Sequence, residues 1–105
     1  MPDRFKFSYY ALQKLTEIPV TDKQFTLQKL LEGTTDTGLS LVDKKTLTRY
    51  EYNQFIRGVR KLISVELVAV VDKRGVYVLN PEHITGEATS EKRLVYWKEL
   101  KAEEE

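Results

Sequence analysis

A change in hydrophobic period midway along the chain restricts the fold more than any other feature of the sequence. Before Val65, apolar residues recur every three or four positions, as they do along one side of an α-helix. After Val65 they form two short runs rich in β-branched residues, Leu67–Val71 and Val76–Leu79. The intervening Asp72–Gly75 is typical of a hairpin turn, with glycine where a positive φ is needed. The sequence therefore predicts a long helix that leads directly into a β-hairpin.

The predicted helix covers about 51–64 and has two chemically different sides. Its apolar stripe contains Tyr52, Phe55, Ile56, Val59, Leu62 and Ile63. Its opposite side contains Asn53, Gln54, Arg57, Arg60, Lys61 and Ser64. Asparagine and glutamine pair with adenine edges in the major groove of DNA, and arginine pairs with guanine edges. We therefore expect Asn53, Gln54 and Arg57 to contact bases. Arg60 and Lys61 lie further along the helix, where phosphate contacts are expected.

Basic residues are concentrated around this helix and hairpin. The whole chain of 105 residues has a formal net charge of only +1. The segment Lys44–Arg74 contains eight basic and three acidic residues, a net charge of +5, so the rest of the chain carries −4. Such asymmetry is typical of a surface that binds a polyanion. Further DNA contacts are therefore expected beside the helix N-terminus and at the hairpin tip, from Lys45, Arg49, Tyr50, Lys73 and Arg74.

The signals in the N-terminal part of the chain are shorter. Ser8 is expected to cap a helix over Tyr9–Glu17. Thr21 and Gln24 have the spacing of a capping box, in which each side chain bonds the backbone N–H of the other residue. They predict the start of a second helix. Gly33 is expected to end that helix in a left-handed conformation.

Shorter elements flank the central helix and hairpin. A brief strand is predicted around Leu39–Val42, followed by a short helical turn over Lys44–Thr48. Asn80-Pro81 is expected to end the second hairpin strand, because proline cannot donate a ladder hydrogen bond. A last helix is predicted from Ser90, its cap, to about Lys101, followed by an acidic tail that frays over 102–105.

This order of elements predicts an α+β fold, a winged helix-turn-helix with a C-terminal β-hairpin wing and flanking terminal helices. With 41% hydrophobic and 31% charged residues, 1–105 is expected to form a single globular domain. The chain has no cysteine, no signal-peptide pattern and no apolar stretch of about 18 residues. These features favour a soluble, cytoplasmic protein.

Little in the sequence supports catalysis. His83 is the single histidine and has no evident partners for a triad or a metal site, so we expect a surface or capping role. The carboxylates are scattered, and no glycine-rich phosphate loop occurs. The chain is therefore expected not to be an enzyme, and no cofactor, metal or small-molecule ligand is expected.

Two adjoining segments resemble replication proteins of mobile elements. GVYVLNPEHITG (Gly75–Gly86) is similar to the end of the wing in RepL-type plasmid replication proteins, which share a pattern of Tyr, an apolar residue, Asn-Pro and Gly before a basic stretch. The matching residues are Tyr77, Asn80, Pro81, Ile84 and Gly86, with Lys92-Arg93 as the basic stretch. FIRGVRKLISVELV (Phe55–Val68) resembles the recognition helix and strand entry of the same proteins and of phage replication initiators.

The resemblance implies a winged helix that works in plasmid or phage replication or its copy control. It also implies DNA contacts by Asn53, Gln54 and Arg57. The leading hypothesis is therefore sequence-specific binding of double-stranded DNA in replication, copy control or transcriptional regulation. A homodimer through the terminal helices is plausible, because two recognition helices would read a palindromic site. The alternative is a winged-helix protein–protein interaction module in a replication or transfer complex, which binds its partner through those helices.

Overall fold

Four α-helices, a 3₁₀ helix and five short strands make up the described part of the chain, residues 5–86 and 90–104 of the computed structural model. In chain order they are β1 (Lys6–Phe7), α1 (Tyr9–Leu15), α2 (Val20–Glu32), β2 (Ser40–Leu41), the 3₁₀ helix (Lys44–Thr46), α3 (Arg49–Ser64), β3 (Val68–Asp72), β4 (Val76–Leu79), β5 (Ile84–Thr85) and α4 (Ser90–Glu104). The strands form two antiparallel sheets, β1-β5 and β2-β4-β3. The predicted α+β class is confirmed.

The first two helices begin in different ways. Ser8 caps α1 as predicted, because its Oγ accepts a hydrogen bond of 3.1 Å from the backbone N–H of Ala11. The capping box predicted at Thr21 and Gln24 is wrong. α2 begins directly after Pro19, and no side chain caps it. Thr21 therefore lies inside the first turn instead of at the cap position.

Gly33 ends α2, but the prediction of a left-handed conformation is wrong. Its φ is −83°, a value open to any residue. Close packing explains the glycine instead, because a Cβ at this position would overlap the carbonyl oxygen of Leu41. The Leu41 N–H donates a hydrogen bond of 2.9 Å to the Gly33 carbonyl. The end of α2 is thus held against β2.

The predicted hairpin is confirmed. β3 and β4 pair antiparallel, with a bulge between Val70 and Asp72. Gly75 has a φ of +110°, and its N–H donates a 3.1 Å hydrogen bond to the Asp72 carbonyl across the turn. β4 pairs with β2 along its other edge, where the Val42 N–H donates to the Gly75 carbonyl at 2.8 Å. The strand before α3 and the hairpin after it therefore form one sheet.

The turn from α3 into the hairpin contains a residue with a positive φ that is not glycine. Glu66 has a φ of 62°, in the left-handed region that usually favours glycine after a helix. The Leu67 N–H bonds the Leu62 carbonyl at 3.0 Å, which satisfies one of the last helix acceptors. Asn80 is buried and donates a 2.7 Å hydrogen bond from Nδ2 to the Glu66 carbonyl. Asn80 thus connects the end of the hairpin to the turn before it.

The main core lies between α2, α3 and the three-stranded sheet. Phe55, Val59 and Leu62 of α3 are buried, as the apolar stripe predicted, whereas Tyr52 is partly exposed. The ring of Phe55 meets the ring of Tyr77 edge-on, with centroids 5.7 Å apart. This packing sets which side of α3 faces outward.

The C-terminal helix contains a buried cation. α4 begins at Ser90 and continues through Glu104, so residues 102–104 of the tail predicted to fray are helical, while Glu105 lies outside the described residues. Arg93 has no exposed surface, whereas Lys92 is exposed and donates from Nζ to the Asp36 carbonyl at 2.7 Å. The pair that the resemblance implies as a basic stretch is therefore not a pair of exposed cations.

Candidate nucleic-acid interface

A capping box that the sequence reasoning missed fixes the start of α3. Thr48 Oγ1 accepts from the Glu51 N–H at 3.1 Å, and Glu51 Oε1 accepts from the Thr48 N–H at 2.9 Å. The signal was present as Thr-x-x-Glu just before the apolar stripe. Glu51 is the single acidic residue of α3, and the cap turns its carboxylate toward the backbone.

One exposed stripe runs the length of α3. It consists of residues spaced by three and four positions, all exposed, which we call the outer stripe: Tyr50, Asn53, Arg57, Arg60 and Ser64. It contains no acidic residue. Tyr50 stands at its N-terminal end with 70% of its surface exposed. Of the residues predicted to contact bases, this stripe includes Asn53 and Arg57.

Gln54 does not share that face. Only 8% of its surface is exposed, so the prediction that it lies on the free side of the helix is wrong. The reason is helical geometry, because Gln54 lies one turn before Gly58, on the side of α3 that packs against α2. The residue pattern alone placed Gln54 on the polar side of the helix, opposite the apolar stripe. The contact with α2 assigns it to the buried side.

Gly58 marks the closest approach of α3 to α2. A Cβ at this position would overlap Oγ1 of Thr26 and crowd the backbone carbonyl of Asp22. Thr26 itself has no exposed surface. A glycine inside a helix costs roughly 1 kcal/mol relative to alanine, so a close approach is what justifies it. The structure assigns it to the contact between two helices.

The same contact contains an ion pair between Arg57 and Asp22. Arg57 Nε lies 3.1 Å from Asp22 Oδ2, and Arg57 Nη2 lies 3.2 Å from Asp22 Oδ1. The Asp22 side chain is only 9% exposed, whereas that of Arg57 is 56% exposed. The hydrogen bond to Asp22 raises the pKa of the Arg57 guanidinium above its ordinary value. The two residues are 35 positions apart, so no local pattern could have indicated the pair.

Arg60 and Lys61, further along the helix, differ in their surroundings. Lys61 lies 4.0 Å from a carboxylate oxygen of Glu17, whereas Arg60 makes no ion pair with any residue in the described ranges. Both side chains are exposed. Both side chains predicted to contact phosphate are therefore accessible. The positive charge of Arg60 is less neutralised by nearby carboxylates than that of Lys61.

The hairpin tip pairs one of its cations internally. Arg74 Nη2 lies 2.9 Å from Asp72 Oδ2, and the Arg74 backbone N–H donates to Asp72 Oδ1 at 2.8 Å. Two hydrogen bonds lower the pKa of Asp72 to about 2. The one from the Arg74 side chain has the larger effect, and the one from the Arg74 backbone N–H has the smaller. Lys73 is exposed and makes no ion pair within the described part of the chain. Lys73 is therefore the less compensated cation of the tip.

Replacing Arg74 by alanine is expected to shift the titration of Asp72 upward, from about 2 toward its ordinary value of 3.8. Because the folded pKa is depressed, the pair stabilises the turn above the ordinary pKa and is lost as the pH falls through that interval. The titration midpoint of Asp72 is measured by following its carboxyl chemical shift by NMR from about pH 1.5 to about pH 6, roughly two units to either side of the ordinary pKa. Lys73→Ala is the control and should leave the midpoint in place. An unchanged midpoint in Arg74→Ala contradicts the expectation.

The 3₁₀ helix joins the hairpin tip to the start of α3. Lys44 Nζ donates to the Lys73 carbonyl at 3.2 Å and lies 5.7 Å from the ring centroid of Tyr77. Lys45, the next residue, and Arg49, the first of α3, are both exposed. The hydrogen bond between Lys44 and Lys73 thus joins the hairpin tip to the 3₁₀ helix that leads into α3.

His83 lies beside the N-terminus of α1. Its Nδ1 lies 2.9 Å from Ser8 Oγ, and its ring stacks on Tyr10 with centroids 4.5 Å apart. It therefore supports the cap of α1, which agrees with the expected surface or capping role. Among the residues that the structure describes, no group of three His, Asp or Glu side chains is arranged to hold a metal ion.

No protein-family model, curated protein or solved structure matches this chain. Within the described ranges, no helix is both long enough and apolar enough to cross a membrane. The function must therefore be argued from the geometry of α3, the 3₁₀ helix and the hairpin.

Proposed function

We propose that this chain is a winged-helix protein that binds double-stranded DNA, with α3 as its recognition helix and the β3–β4 hairpin as its wing. The order β2, 3₁₀ helix, α3, β3, β4 supports this proposal, as does the strand order β2-β4-β3. In a winged helix, the hairpin after the recognition helix pairs with the strand that precedes the helix-turn-helix. The helix before α3 is reduced here to the three residues Lys44–Thr46.

The observation that carries the proposal is the outer stripe of α3, exposed along the helix, basic and free of acidic residues. A major groove about 12 Å wide admits such a helix. Asn53 suits an adenine edge and Arg57 a guanine edge, while Arg60 and Lys61 are placed for phosphate. At the helix N-terminus, where the backbone N–H groups favour anions, Lys45, Arg49 and Tyr50 would add phosphate contacts.

The wing would add contacts outside the major groove. Lys73 and Arg74 at the hairpin tip can reach phosphate or the adjacent minor groove, where arginine and lysine are attracted by the concentrated negative potential. Because Arg74 is paired with Asp72, we assign the larger electrostatic share to Lys73. Gln54 is not part of the proposed surface, because it is buried.

The proposed role is sequence-specific binding in plasmid or phage replication, copy control or transcriptional regulation, in keeping with the resemblance of the helix–hairpin segment. A homodimer through the terminal helices belongs to the same proposal. Apolar side chains on those helices are exposed, Tyr9 and Leu12 on α1 and Val95 on α4. A symmetric pair of recognition helices would read a palindromic site.

Selection from a random duplex library at low salt tests the proposal and would reveal the site together with its symmetry. We expect an enriched sequence whose affinity falls with salt, with a log–log slope of about −0.9 for each phosphate neutralised. Failure to retain any duplex at low salt would overturn the proposal. It would leave the protein–protein interaction module as the better explanation of the exposed apolar side chains on α1 and α4.

Replacing Arg57 by alanine is expected to weaken binding to the selected site about 10- to 100-fold and to relax base preference at one position. Lys73→Ala should instead weaken all duplexes alike and reduce the salt slope by about one. Fluorescence anisotropy at several salt concentrations measures both effects. Lys98→Ala, at an exposed position of α4, is the control and should change neither. Equal losses on specific and random duplexes for Arg57→Ala would contradict its assignment to base contact.

A further inference from the structure

The Arg57 side chain is held at one edge and exposed at the other. Asp22, in the first turn of α2, uses one carboxylate oxygen for Nε and the other for Nη2, at 3.1 and 3.2 Å. The Nη1 amino group and the outer hydrogen of Nη2 form the adjacent, terminal edge of the planar guanidinium. With the side chain 56% exposed, this terminal edge is the part left for a ligand.

We infer that Asp22 is a positioning residue that orients Arg57 for bidentate recognition of guanine, an inference that rests on the DNA-binding function proposed above. Guanine presents two acceptors, O6 and N7, side by side in the major groove. The terminal edge of a guanidinium matches this pair with two parallel N–H donors. Asp22 occupies the other edge and so leaves that match intact.

The surroundings of Asp22 make it a rigid support. Its side chain is 9% exposed, and its backbone carbonyl lies at the point where Gly58 allows α3 to approach α2. A carboxylate on a tightly packed helix can hold the flexible arginine stem in one direction before any DNA arrives. Part of the side-chain ordering cost is then met during folding, which leaves more of the contact energy for discrimination between bases.

The Arg57–Asp22 ion pair should also affect base discrimination and affinity for random DNA in different ways. The negative charge of Asp22 offsets the attraction of Arg57 for phosphate, so Arg57 should contribute little to binding of random duplexes. Removing that charge while keeping the side-chain shape, as in Asp22→Asn, is expected to leave random-duplex affinity unchanged or higher. The preference for guanine should fall about 3- to 10-fold, because Arg57 is no longer held in one orientation.

A double-mutant cycle tests this inference. The selected site, the same site with its guanine replaced, and a random duplex are titrated with wild type, Asp22→Asn, Arg57→Ala and the double variant. We expect Asp22→Asn to reduce guanine preference in the wild-type background and to change nothing in the Arg57→Ala background. Glu17→Gln is the matched control, because it removes an equal charge beside Lys61 instead of Arg57. It should leave guanine preference unchanged.

Each other outcome has a definite meaning. A purely structural role for Asp22 predicts a lower Tm and equal losses on all three duplexes in both backgrounds, which would overturn the inference. Unchanged guanine preference in a folded Asp22→Asn protein would overturn it as well. Should Asp22→Asn not fold, Asp22→Glu, which keeps the charge but displaces the carboxylate, is expected to show the same loss of preference. If wild type binds no duplex, the proposed function itself fails, and the inference fails with it.

Discussion

Replacing Arg93 by alanine is expected to lower the free energy of unfolding by about 3–5 kcal/mol. Arg93 has no exposed surface, and its Nη1 donates to the carbonyls of Ile84 at 2.8 Å and Leu79 at 3.3 Å. Its guanidinium also lies 5.9 Å from the ring centroid of Phe5. Alanine would leave carbonyl groups of two strands without this donor and would open a cavity between α4, β4 and β5.

Urea denaturation followed by far-ultraviolet circular dichroism measures the loss. Lys92→Ala is the matched control, since Lys92 is the adjacent cation but is exposed, and its removal should change stability by less than about 0.5 kcal/mol. Arg93→Met restores much of the volume without the donors and should fall between the two. A loss within about 1 kcal/mol for Arg93→Ala would show that the buried guanidinium is not a main support of α4.

Replacing Gly58 by leucine is expected to destabilise the protein by about 3 kcal/mol, although leucine is the better helix former. At an open helix position the change would stabilise by nearly 1 kcal/mol. At Gly58 the new side chain would clash with Thr26 Oγ1 and with the Asp22 carbonyl. The carbonyl belongs to the backbone of α2 and cannot rotate away. α2 and α3 would have to separate where Asp22 holds Arg57, so the guanine preference that we propose should fall together with stability.

Asn53→Leu is the matched control, because it introduces the same side chain at an exposed position of the same helix. Its stability should stay within about 0.5 kcal/mol of wild type. The smaller replacement Gly58→Ala should also destabilise the protein, because its Cβ would overlap Thr26 Oγ1. Adding Thr26→Ala to that variant should recover part of its loss, since it removes the nearest side-chain obstacle. If Gly58→Leu proved more stable than wild type, the two helices would not be in close contact at this point.

The sequence predicted those elements whose structure depends mainly on neighbouring residues. The period change at Val65 identified both α3 and the hairpin, because buried faces impose a repeat of 3.6 on helices and 2 on strands. Ser8 and Gly75 were also predicted correctly, since a cap and a positive φ depend on a few neighbouring residues. The end of α3 shows the limit of such signals. Glu66 adopts the left-handed conformation there and is bonded by Asn80, which is 14 positions away.

The sequence by itself determined the helix–hairpin arrangement, its basic character and the outward position of Asn53, Arg57 and Arg60. Only the tertiary structure decided which of the outward residues have partners. It buried Gln54 against the α2 side and paired Arg57 with Asp22, because the approach of two helices at Gly58 brings together residues far apart in the chain. Periodicity describes one helix at a time, whereas burial and ion pairing depend on the surface of another element.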